Sequence, residues 1–224
     1  MARLSKAQML AKAREVVERE ARAVASLANQ FDESLADVVE MLLSCKGHVL
    51  VTGVGTSHAM AQRMAHLLAC CGTPALCINA ADSLHGGAGA VGPDDVLFII
   101  SKGGHSAEIN RFAEIARARG AKVIAQTENP DSPLARRSDL VLDVKTVGDV
   151  DPYGMIATGS SLVNGAAGDV LCVLLLELRG YTKHDFGTTH PGGAVGKKLS
   201  DSRVQAKPQR RGRTRRAPSS RPSR

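Results

Sequence analysis

The chain has 224 residues, of which 43% are hydrophobic, 23% charged and 3% aromatic, with no tryptophan. That length suits one domain with a core it can fill and excludes a chain disordered throughout, and the core must be aliphatic and rich in Ala and Gly. The formal net charge of +7 belongs to the end of the chain: residues 203–224 hold nine Lys or Arg and no Asp or Glu, which leaves twenty basic against twenty-two acidic residues before them.

The most apolar run, residues 170–176, is far shorter than the roughly 20 residues that cross a bilayer. The start, Met1-Ala2-Arg3-Leu4-Ser5, leads into an amphipathic segment with no apolar signal region. The expectation is therefore a cytoplasmic protein with no membrane partner. Cys45, Cys70, Cys71, Cys77 and Cys172 sit in apolar stretches without Cys-x-x-Cys spacing or a His/Cys cluster. They read as buried, reduced thiols, and no metal site is expected.

Two helical patterns open the chain. Met9, Ala13, Val16, Val17 and Ala21 recur at helix spacing among charged residues. After an N-cap candidate at Asp32 or Ser34, a second run holds Leu35, Val38, Val39, Met41, Leu42 and Leu43. Neither carries a catalytic cluster, and helices of this kind pack over a sheet or across a subunit interface, so a homo-oligomer is expected. From residue 48 onward, short apolar runs at 48–52, 75–79, 96–101, 122–126 and 140–144 alternate with helical patterns at 57–71, 106–119 and 132–137. Strands apolar on both faces and spaced by helices imply an α/β fold, a five-stranded parallel sheet sandwiched by helices. A long helix over 160–178, stopped by Gly180, closes it. The organisation read from this is a helical extension at 1–46, the sheet domain at 47–202 and a disordered basic tail at 203–224. For that tail, a solvated end is the expected reading and nucleic-acid binding the lesser one.

In such a sheet, ligands bind beyond the carboxyl ends of the strands, where strand order reverses. Three segments fit that position. Gly53-Val54-Gly55-Thr56-Ser57-His58 follows the first strand and opens a helix; His58 stands where a dinucleotide fingerprint has its third glycine. Ser101-Lys102-Gly103-Gly104-His105-Ser106-Ala107-Glu108 follows the third strand and offers hydroxyls, backbone amides and an N-cap at Ser106, a cradle for an anion. Thr158-Gly159-Ser160-Ser161 begins the closing helix, where helix capping alone would explain it. Near the end, His190 precedes Pro191-Gly192-Gly193 and is expected to be presented from a turn.

The glycine-serine loop after the first strand, the Ile-Ser-x-x-Gly-x-Ser-x-Glu loop after the third and the terminal His190-Pro191-Gly192-Gly193-Ala194-Val195-Gly196-Lys197-Lys198 together resemble the sugar isomerase (SIS) domain. Within it the chain is most similar to the D-arabinose 5-phosphate isomerase group, over about residues 13–200. The resemblance implies aldose–ketose isomerisation of a phosphosugar through an enediol, without metal or organic cofactor, in a homotetramer. Members of that group often carry paired CBS domains, which are expected to be absent here because the chain turns into its Arg-rich tail.

Carried over position by position, Glu108 matches the family's active-site glutamate, His190 its active-site histidine and His85 a histidine at the rim of the same pocket. Asp149 stands where the family has a glutamate, one methylene longer. The substrate-binding positions implied are Gly55, Thr56 and Ser57; Ser101, Lys102, Gly104, His105 and Ser106; and Thr158, Ser160 and Ser161. Two departures stand out. The family's first-loop lysine is Thr56 here, and Lys102 and His105 replace Asn and Glu in the second loop, where they are expected to restore part of the lost positive charge. A second reading is a non-catalytic sugar-phosphate sensor, although no helix-turn-helix pattern precedes residue 48.

Overall fold

The computed structural model describes residues 4–193 together with Gly196 and Lys198. The expected tail at 203–224, and Ala194, Val195 and Lys197 of the terminal motif, lie outside the described residues. The chain falls into two compact units divided after Thr182.

The first unit opens with α1 (Lys6–Ala25), started by a capping box in which Ser5 Oγ accepts from the Gln8 amide and Gln8 Oε1 accepts from the Ser5 amide. After one 3-10 turn, α2 (Glu33–Ser44) begins at Asp32, whose carboxylate accepts from the Ser34 amide at 2.9 Å. This decides between the two N-cap candidates. Ala23, Leu27, Val38, Val39 and Leu42 are buried in the main core. Both N-terminal helices therefore take part in the sheet's packing.

The strands β1 (Val49–Gly53), β2 (Ala75–Cys77), β3 (Val96–Ile100), β4 (Lys122–Thr127) and β5 (Leu140–Asp143) form one sheet in the order β2-β1-β3-β4-β5, and every pair is parallel. Alternation along the strands sends Val49, Val51, Phe98, Ile100, Ile124 and Leu142 to one face, packed on α2, on α3 (Thr56–Cys70) and on α7 (Gly159–Leu178). Leu50, Leu97, Ile99, Val123 and Ala125 fill the other face, with Ile109, Phe112, Ala113 and Ala116 of α5 (Ala107–Ala118) and Leu134 of α6 (Pro133–Arg137). Because both faces are covered, β1 and β3 are buried at every position, as a parallel sheet requires.

Three expectations need correction. The second strand stops at Cys77 rather than at residue 79, because Asn79 turns its side chain onto the amides of Ala81 and Asp82 and starts the short α4 (Ala80–Ser83). Only Cys172 among the cysteines is buried; the other four are half-exposed, at the end of α2, at the end of α3 and on the edge strand β2. None of the five is joined in a disulfide, and burial pushes the Cys172 thiol up to about 12. Finally, α7 is by length and composition apolar enough to cross a membrane, a property hidden when only residues 170–176 are measured. It packs instead against α3 and α1, with Val163, Ala167, Leu171 and Leu175 fully buried, and serves as a core helix.

The second unit begins with α8 (Lys183–Thr189), which leads directly into His190.

Candidate active site

Strand order reverses between β1 and β3. The connection from β1 runs to α3 on one face and that from β3 to α5 on the other, which opens a crevice between their carboxyl ends. The first loop presses onto this edge: a methyl at Gly53 would lie 2.9 Å from the Ile100 carbonyl oxygen. Thr56 and Ser57 then open α3, whose N-terminus has neither a side-chain cap nor an acidic residue in its first turn, leaving its amides and partial positive charge available.

The second loop is braced from beneath. Ser101 Oγ accepts from the Gly104 amide at 3.1 Å, and the Gly104 carbonyl accepts from Asn110 Nδ2 and from the Leu134 amide. Gly104 has φ +68°, and a methyl there would lie 2.3 Å from Ser132 Oγ, so the position demands glycine. The Ser101 hydroxyl therefore braces the loop from within. Ser106 sits at the N-cap of α5 as expected, yet its hydroxyl makes no capping hydrogen bond and is exposed to solvent.

These two loops meet the third segment around a cavity of about 50 Å³ lined by Thr56, Ser57, Lys102, Ser160, Ser161 and Asn164. Lys102 Nζ donates to Asp151 Oδ2 at 2.9 Å, and Asp151 Oδ1 accepts from the Ser160 amide at 2.9 Å. Asp151 is 5% exposed. Burial by itself would raise its carboxyl, but hydrogen bonding from Ser160 and the ammonium of Lys102 outweigh it and hold the group below the ordinary aspartate value. Asp151 thus caps α7 in place of Thr158, whose hydroxyl donates to the Val150 carbonyl. Beneath the cavity, Asn164 Nδ2 donates to the Ser160 carbonyl, and the buried Gln126 donates to Asn164 Oδ1 at 2.8 Å.

Four expected site residues of the first unit do not line this cavity. Glu108 is half-buried in the first turn of α5 and does not line this cavity. His105 is exposed, its Nε2 3.4 Å from Asn129 Nδ2. His85 is exposed just beyond α4, on the connection that leaves β2. Asp149 is exposed on the connection from β5 and borders a different cavity, about 340 Å³, with Arg19 and Arg22 of α1; Arg19 Nη1 donates to the Asp149 carbonyl. In the second unit, the His190 ring stacks on Phe186 with centroids 3.7 Å apart, and its Nδ1 lies 3.0 Å from Thr189 Oγ1 and from the Phe186 carbonyl. It follows a helix directly and is anchored to that helix's last turn.

Asp151 and Asn164 are the residues that sequence reasoning missed. Asp151 flanks Pro152, where an aspartate is common for turn reasons alone, and nothing local ties it to Lys102, 49 positions earlier.

Hydroxyls, uncapped helix amides and a lysine thus gather at the switch point of a doubly wound sheet. Residues 42–183 match the SIS domain family, and the chain belongs to it. Arabinose 5-phosphate isomerase KdsD of Pseudomonas aeruginosa is 37% identical over 177 residues, 79% of this chain and 54% of that protein. KdsD of Escherichia coli K12 is 36% identical over 186 residues, 83% and 57% respectively. The chain thus spans about half the length of these curated relatives. Among solved structures, an Escherichia coli CFT073 protein in complex with arabinose 5-phosphate superposes with a TM-score of 0.81 at 30% identity, covering 84% of this chain and all of that one. A Listeria monocytogenes protein provisionally assigned as a sugar-phosphate isomerase gives 0.82 at 32%, covering 85% and 100%. The Vibrio vulnificus NanR protein complexed with ManNAc-6P, at 21% identity and a TM-score of 0.65, shares the fold.

Proposed function

We propose that the chain is an aldose–ketose isomerase acting on a phosphosugar through an enediol, a reading supported by relatives named arabinose 5-phosphate isomerase KdsD. A proton leaves the carbon beside the carbonyl while the carbonyl oxygen gains one, which gives the enediol. The former carbonyl carbon then takes up a proton, and the neighbouring hydroxyl gives its own away to become the new carbonyl. Glu108 and His190 are the proton carriers in this reading, each supplying about 10²–10⁴-fold, with His85 at the rim, Asp149 in the place of the family's glutamate, and the phosphate handle supplying orientation. The observation that carries it is the convergence of the three loops on one cavity furnished with Lys102.

The test is to incubate the protein with arabinose 5-phosphate and a panel of other pentose, tetrose and hexose phosphates in D₂O. Deuterium beside the carbonyl is expected from at least one of them. No exchange from any of them would leave the second reading, a non-catalytic sugar-phosphate sensor. That alternative draws support from Thr56, which puts no ammonium in the first loop, and from the cavity lining, which among the described residues holds no Glu, Asp or His.

A cytoplasmic setting accords with five cysteines not joined in disulfides. A homotetramer accords with the apolar groove of about 610 Å³ between α1, α3 and α7, and with the exposed Tyr153, Met155, Ile156 and Leu162 near the site.

A further inference from the structure

Asp151 is nearly inaccessible to water, yet it lies against the cavity where an anionic ligand would sit. One carboxylate oxygen receives the Ser160 amide, so the anion seat at the N-terminus of α7 is already filled from within the chain. The other receives Lys102, the one cation among the described residues lining that cavity. The two partners differ in freedom. Asp151 is held by its burial, by the Ser160 amide and by the turn in which its own carbonyl accepts from the Gly154 amide. Lys102 is fixed at its backbone, where its carbonyl accepts from Thr127 Oγ1 and from the Glu128 amide, but its side chain is 41% exposed and is held only at its ammonium.

We propose that Asp151 is a positioning residue that sets which anion this site accepts: it holds the Lys102 ammonium at the cavity and yields it only to a phosphoryl dianion. Attraction at a given distance scales with charge, so a carboxylate ligand gains nothing by drawing Lys102 from one carboxylate to another. A phosphoryl group carries about −1.5 to −2 at neutral pH and three acceptor oxygens, so it out-competes Asp151. Lysine has three N–H donors, of which Asp151 takes one, and the ammonium can begin to engage the ligand before it leaves its partner. The isomerase reading is deepened by this and supplies only the sugar; anion binding is measured apart from turnover.

The experiment is calorimetric titration of the full chain with inorganic phosphate and, separately, with arabinonate, a sugar carboxylate, together with the melting temperature of each variant. Wild type is expected to bind phosphate and not arabinonate. Lys102→Met should weaken phosphate by about tenfold or more, and Lys102→Arg should hold it within about threefold, as charge-assisted hydrogen bonds dictate. Asp151→Asn should tighten phosphate and admit arabinonate; if it does not fold, Asp151→Ser, which keeps an acceptor for the Ser160 amide, replaces it. A pair with only a structural role would lower the melting temperature in Lys102→Met and leave phosphate affinity unchanged, and that result overturns the proposal. Phosphate failing to bind wild type, or binding a folded Asp151 variant no tighter, overturns it equally. Absence of deuterium exchange would remove the isomerase reading and leave this one standing.

Discussion

Replacing Gly104 with alanine separates two costs that the structure superimposes at the second loop. Its φ of +68° lies in the left-handed region, where a side chain costs about 1–2 kcal/mol. The added methyl would also lie 2.3 Å from Ser132 Oγ and 2.5 Å from Ser132 Cβ. Ser132 is fully buried and its hydroxyl accepts from the Ala135 amide at the start of α6, so it cannot swing aside without giving up that cap. Overpacking adds about 1–3 kcal/mol, and loss of the cap about 1 kcal/mol. Gly104→Ala should therefore destabilise by about 3–6 kcal/mol in urea unfolding followed by circular dichroism. Gly180→Ala, at φ +61° with nothing within 4 Å, should lose only the conformational part, about 1–2 kcal/mol. The double variant Gly104→Ala/Ser132→Gly removes the obstructing side chain and should return most of the difference, since a Ser-to-Gly change at a cap costs only a few tenths of a kcal/mol. A Gly104→Ala protein as stable as Gly180→Ala, or a double variant no better than the single, would refute the reasoning.

Glu108→Gln and His190→Ala should each abolish deuterium exchange into the phosphosugar while inorganic phosphate still binds; exchange retained in both variants removes the site assignment. The Asp151 carboxyl is held below its ordinary value, so its contribution is present above the unfolded-state pKa and is lost as pH falls through the folded one. The melting temperature of wild type should thus drop below about pH 4, and that of Asp151→Asn should drop less over the same range, by scanning calorimetry. Phe112→Ala empties a fully buried position on α5 and should lower the unfolding free energy by about 3–5 kcal/mol. Arg63→Ala breaks a pair with Asp169 in which both side chains are over 40% exposed, and should cost at most about 1 kcal/mol in the same denaturation assay.

The legible part of this molecule is the part governed by neighbours in sequence. All five strands and the long helices stand within a residue or two of where apolar runs and helical spacing put them, because a strand buried on both faces must be apolar throughout. The stop at Gly180 follows from local backbone freedom in the same way, the residue adopting the positive φ expected past a helix end. Short elements escaped: Asn79 reads as the end of a strand until its side chain is seen capping α4.

The candidate site was legible as loops and illegible as a network. Glycines and serines after β1 and β3 announce an anion cradle wherever they occur, since the chemistry lies in the backbone itself. Which hydroxyl is taken up by bracing, as that of Ser101 is, and which carboxylate meets Lys102, depends on where loops far apart in the chain come to rest on the sheet. Of the two aspartates in the 149–151 segment, tertiary structure leaves Asp149 exposed and buries Asp151, tying it to Lys102 and Ser160. Composition and periodicity alone determined a parallel sheet with its ligand end at the strands' carboxyl termini, because burial and hydrogen bonding leave few other uses for such a pattern. Only the packed chain decided the partners of the charges there, because an ion pair is set by distance in space, to which spacing along the sequence is blind.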